Sequence, residues 1–93
     1  MDKIIVTRHG AMVEYLIEQG IVDSTVPIVE HASAKQIEGK HVIGFLPLHL
    51  ACQAERLTEI PMNVPLELRG RELTLEQVRE LAGKPQTYQV RRV

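Results

Sequence analysis

An arginine and a histidine stand side by side directly after an apolar run: Ile4-Ile5-Val6 leads into Thr7-Arg8-His9, then Gly10 and Ala11. Arg8 is a permanent, forked cation, and a histidine such as His9 is suited to exchanging a proton at neutral pH. Gly10 and Ala11 are small enough for a ligand to approach the backbone. A helix starting there adds free N–H groups and the positive end of its dipole. Together these features read as a phosphate-handling site in a crevice beyond the end of a strand. The plainer alternative is an arginine paired with a surface carboxylate and a histidine closing a strand end, because polar pairs are common in such turns.

Two further groups bear on the same chemistry. His49 follows Pro47 by two residues, beyond a second apolar run, Val42-Ile43-Gly44-Phe45-Leu46. If the two runs are neighbouring strands, His49 and His9 border one crevice; otherwise His49 packs beside Leu48 and Leu50. In Arg69-Gly70-Arg71-Glu72, two arginines in a glycine-containing loop could close over phosphate oxygens with forked hydrogen bonds. The alternative is a solvated loop leading into a helix. His31 and His41 have no such context and read as surface histidines, and Cys52 reads as a small core residue. A strand followed by Arg-His-Gly also opens the histidine phosphatase fold, which needs a longer chain and a second catalytic histidine.

Alternating strands and helices must position these residues. Residues 3–7 read as a strand buried on both faces. Met12, Val13, Leu16 and Ile17 recur at helical spacing over 11–19, with Gly20 as the stop. Val26–Val29 reads as a short strand held to an edge by Pro27. Residues 32–40 read as loop or one helical turn, and 42–46 as the second buried strand. Pro47 suits the first position of a helix running to about Leu57. Ile60–Val64 reads as a fourth strand, and Thr74 with Gln77 forms a capping box for a third helix. A last, half-exposed strand surrounds Tyr88 and Val90. The expectation is a small Rossmann-like α/β domain over residues 1–93, its largely parallel sheet flanked by about three helices.

Composition narrows the partners. The 93 residues suit one domain with a modest core, a size often helped by oligomerisation. A net charge of −1 gives no global attraction to long nucleic acid, and the absence of Trp leaves little for stacking single strands. One cysteine makes no disulfide framework, and no Cys/His spacing suggests a metal site. No signal segment or membrane-length apolar run is evident, so a cytoplasmic location is the default.

Three blocks together resemble a family of small CRISPR-associated ring nucleases of type III CRISPR systems. They are Val6-Thr7-Arg8-His9 with Glu14-Tyr15, the stretch Val42 to Ala51 containing Pro47-Leu48-His49-Leu50-Ala51, and Pro65 to Thr74 containing Leu68-Arg69-Gly70-Arg71-Glu72-Leu73. They occur in the family's order and approximate spacing. Gly10-Ala11-Met12 stands where the family usually has Pro-Gly-Ala, Tyr15 where a tryptophan is common, and Phe45 in place of a smaller residue.

The resemblance implies a prokaryotic antiviral-defence enzyme that works as a homodimer and cleaves the second messenger cyclic tetra-adenylate without metal or cofactor. Carried over, Arg8, His9 and His49 become the catalytic residues. Thr7, Gly10, Gly44, Pro47, Arg69 and Gly70 become the substrate-binding set. The alternatives are a protein that binds the ring without cutting it, and an interaction subunit with no nucleotide ligand.

Overall fold

The computed structural model describes residues 2–93. The chain runs β1 (Lys3–Val6), α1 (Gly10–Glu18), β2 (Ile28–Val29), α2 (Ala34–Ile37), β3 (His41–Gly44), α3 (Leu48–Ala51), β4 (Arg56–Glu59), a 3-10 turn (Leu66–Leu68), α4 (Leu75–Leu81) and β5 (Gln86–Tyr88). The sheet order is β2-β1-β3-β4-β5. The first four strands are parallel, and β5 closes the edge antiparallel to β4. This is a mixed α/β fold of the Rossmann-like kind.

Alternating side chains divide the core between the two faces of the sheet, as buried parallel strands require. Ile4, Val6, Val42 and Leu57 pack with Ile37 of α2 and Ala51 of α3. Ile5 and Ile43 pack on the other face with Leu16 of α1, Val22 and Ile60. On that second face, α1 is tied to α4 by an Arg79–Glu18 ion pair. The result is a three-layer domain in which the chain leaves β1 towards β2 on one side and reaches β3 on the other. That reversal opens a crevice between β1 and β3, outside their carboxyl ends.

Several boundaries differ from the sequence reading. The helix expected from Pro47 to about Leu57 is the single turn Leu48–Ala51, with Pro47 as its N-cap. Ala54 and Leu57 are buried at spacings that mimic a helical stripe, but Leu57 is already in β4, paired with Val42. The fourth strand therefore lies at Arg56–Glu59 rather than Ile60–Val64. A polar residue at its centre hid it: Thr58 is buried, and its hydroxyl contacts His41 Nε2 at 2.6 Å and Thr87 Oγ1 at 2.8 Å. β2 starts after Pro27, which has no N–H to give but accepts from the Ile5 amide at 2.8 Å. The capping box at Thr74 and Gln77 is present, and a second one, Ser33 with Gln36, starts α2.

Candidate functional site

All four parallel strands deliver their next residues to one end of the sheet. Thr7, Arg8 and His9 leave β1, Glu30 and His31 leave β2, Gly44 and Phe45 close β3, and Glu59 and Ile60 lie at the end of β4. These residues line an open cleft of about 770 Å³, with Ile5, Leu16 and Ile43 of the core among its walls. A second cleft of about 740 Å³ shares the Thr7-Arg8-His9 wall and is bounded on its far side by Leu68, Arg69, Gly70, Arg71 and Glu72. Both volumes fall in the range of small-ligand sites.

Local bonding fixes the shared wall. The Thr7 amide donates to Val29 O at 3.0 Å, and the His9 amide donates to Thr7 Oγ1 at 3.2 Å. The chain thus turns sharply from β1 into α1. His9 is the N-cap of α1 by backbone conformation, yet no side chain caps this helix and no acidic residue occupies its first turn. Its positive end is therefore not neutralised locally. Arg8 and His9 are both exposed.

Gly44 is what lets β3 come so close to β1 at the crevice. It pairs with Val6, has φ +139°, and a Cβ placed on it would lie 2.1 Å from Val6 O. Gly70, with φ +80°, turns the arginine loop so that Arg69 and Arg71 both line the cleft opposite Arg8.

The two clefts differ in charge. The one reached by Arg69 and Arg71 has three arginines against one glutamate, Glu72. The one beneath Phe45 has Arg8 and two glutamates, Glu30 and Glu59. An anionic group is favoured by Coulomb attraction in the first and opposed by the carboxylates in the second.

Of the residues expected from sequence, Thr7, Arg8, His9, Arg69 and Gly70 come together in the arginine-rich cleft, and Gly44 lines its neighbour. Gly10 begins α1 beside them. Pro47 and His49 are exposed and line neither of these two clefts, so His9 and His49 do not share either of them. Among the described residues, no three of His, Cys, Asp and Glu gather in a metal-binding arrangement.

A family model described as "Putative CRISPR-associated protein (Cas_VVA1548)" matches residues 4–91, which include every residue of both clefts. The chain belongs to this CRISPR-associated family. No curated protein and no solved structure matches it significantly.

In this CRISPR-associated protein, sequence reasoning gave no site role to the cleft residues Glu30, His31 and Glu59. His31 is exposed, as expected of a surface histidine, and it also lines the cleft with His9. The signal was available, since His31 follows β2 by two residues, as Arg8 follows β1. His41, also read as a surface residue, is half-buried at the opposite end of the sheet. Burial, with help from the charges of Lys3 and Arg56, holds its pKa below the usual histidine value. It belongs to the structural network with Thr58 and is remote in sheet register from the crevice.

Proposed function

We propose that this CRISPR-associated protein is a metal-independent ring nuclease that opens cyclic tetra-adenylate and so switches off type III CRISPR signalling. The observation that carries the reading is the convergence of Arg8, His9, Arg69 and Arg71 on one cleft beside an uncapped helix N-terminus. The sequence resemblance described above supplies the identity of the ring.

The chemistry asks little of the protein. In a cyclic oligoadenylate each 2′-hydroxyl lies beside its 3′-phosphate, so the substrate carries its own nucleophile. Binding must rotate the ribose until the 2′-oxygen, phosphorus and departing 5′-oxygen are in line. Arg8 and Arg69 neutralise the charge that builds on the non-bridging oxygens. As the 2′-O–P bond forms and the P–O5′ bond breaks, the 2′-hydroxyl proton passes to solvent and His9 gives a proton to the departing 5′-oxygen, so that no net proton or water is consumed. The products are linear adenylates ending in a 2′,3′-cyclic phosphate, with a 5′-hydroxyl at the other end.

A homodimer completes the proposal. An isologous pair would present the same crevice twice around one two-fold ligand, and association would also help so small a domain. Arg8→Ala is expected to slow cleavage by about 100-fold or more. His9→Ala is expected to slow it by at least about 100-fold while the ring still binds. His49→Ala, outside both clefts of its own chain, should leave the rate within a few-fold of wild type. Ring binding without products from the wild type would instead make the protein a sponge or sensor.

A further inference from the structure

The cleft beneath Phe45 has a chemistry that phosphate handling does not explain. Phe45 is the sole phenylalanine of the chain and is 69% exposed, although Val42 and Ile43 of the strand before it are fully buried. It is one of the largest apolar surfaces left uncovered at the carboxyl end of the sheet. The register fixes its neighbours. Ile43 pairs with Thr58, so Gly44 and Glu59 are the next step along β3 and β4, and Phe45 emerges directly beyond them. Glu59 is half-buried, and it and Glu30 line the same cleft as Phe45. An exposed aromatic ring beside hydrogen-bond acceptors, with the phosphate-favouring arginines on the far side of a shared wall, suits a planar heterocycle that has a donor edge.

We infer that this cleft is the nucleobase subsite: Phe45 stacks on an adenine, and the Glu59 carboxylate accepts a hydrogen bond from its exocyclic amino group. This deepens the ring-nuclease reading and rests on it for the choice of base. A nucleotide would lie across the Thr7-Arg8-His9 wall, its phosphate towards Arg69 and Arg71 and its base towards Phe45. A stacking face accepts any base. The carboxylate adds discrimination, because hypoxanthine presents a carbonyl oxygen where adenine presents an amino group, and two acceptors repel.

The test uses single nucleotides as well as the ring. The lone phenylalanine gives one set of aromatic ring signals by NMR. Titration with 5′-AMP is expected to shift them, whereas ribose 5-phosphate perturbs the Arg69–Arg71 loop and leaves Phe45 unmoved. AMP should bind about 10-fold more tightly than IMP, and Glu59→Gln should abolish that preference. Phe45→Ala should weaken cyclic tetra-adenylate by about 5- to 150-fold, and Phe45→Trp should restore it. Because Phe45 is so exposed, the melting temperature and sedimentation of both variants should match wild type.

Full ring binding by Phe45→Ala would overturn the subsite while leaving ring cleavage intact. A Phe45→Ala protein that changes its oligomeric state would assign the ring to an interface between copies and overturn it equally. An AMP-over-IMP preference that survives Glu59→Gln would remove the carboxylate from the recognition. AMP shifting Phe45 in a protein that never binds the ring would sustain the base subsite and sink the ring-nuclease reading instead.

Discussion

Replacing Gly44 by alanine should be the most damaging small substitution in the crevice. Two costs combine. Alanine would have to adopt φ +139°, a region reserved for glycine, at a cost of about 1–3 kcal/mol. Its Cβ would also meet Val6 O at 2.1 Å, more than an ångström inside ordinary contact. That oxygen belongs to the backbone of β1 and cannot rotate away, so β1 and β3 must separate at their carboxyl ends. The separation weakens ladder hydrogen bonds worth about 1 kcal/mol each. A total loss of about 4 kcal/mol follows, against about 5–15 kcal/mol for a domain of this size.

The corresponding fall in melting temperature is about 15–30 °C. Gly70→Ala is the control, because its φ is also positive but nothing lies within 4 Å of the added Cβ. It should cost about 1–2 kcal/mol and about 4–16 °C. Thermal melts followed by circular dichroism read both values. A Gly44→Ala protein that melts within a few degrees of Gly70→Ala would refute the close approach of β3 to β1.

Three other perturbations check separate parts of the structure. Below pH about 6.5 the unfolded chain takes up a proton at His41 before the folded one does, since burial lowers the folded-state pKa. Stability should therefore fall as pH drops from 6.5 towards that lowered value and be unaffected above 7. In urea titrations across this range, His41→Gln should flatten the slope; an unchanged slope would show that His41 is not the group responsible. Thr74→Ala removes the hydroxyl that accepts from the Gln77 amide at 3.2 Å, and should cost about 1 kcal/mol, read as a shift in urea midpoint. Glu18, whose pKa is lowered by its hydrogen bond from Arg79, stabilises α1 against α4 above its unfolded pKa of about 4.5, and this is lost as pH falls through the folded value. Glu18→Gln should remove part of the acid sensitivity below pH 4.5 while barely moving the neutral melting point, since the pair is solvent-exposed.

The two apolar strands β1 and β3 and the capped start of α4 were legible in the sequence because their signals are local, although the equally local Ser33–Gln36 box went unread. Ile4-Ile5-Val6 and Val42-Ile43 are apolar on both faces and emerge as the adjacent central strands β1 and β3. Thr74 and Gln77 mark the start of α4 by a reciprocal bond that spacing alone reveals. β4 was misplaced because its middle residue is a threonine whose burial is offset by partners 17 and 29 residues away. No local pattern carries such a partner.

The site was half legible for the same reason. Thr7-Arg8-His9 follows its strand directly, and the Arg69-Gly70-Arg71 loop was recognisable as a possible clamp. Their meeting in one cleft depends on the strand order β2-β1-β3-β4-β5, which periodicity does not encode. His49 looked equivalent to His9, since both follow a central strand. The extra residues Phe45, Leu46 and Pro47 and the short α3 carry it outside the cleft linings. Phe45 was noticed only as a larger residue than the family usually has there, because sequence does not show that its ring is exposed.

The most direct test of the central claim is to incubate the purified protein with cyclic tetra-adenylate in EDTA and resolve the products by liquid chromatography and mass spectrometry. Linear di- or tetra-adenylate ending in a 2′,3′-cyclic phosphate, lost in Arg8→Ala and His9→Ala, is the predicted result. A ring that stays intact at enzyme concentrations matching substrate would contradict it.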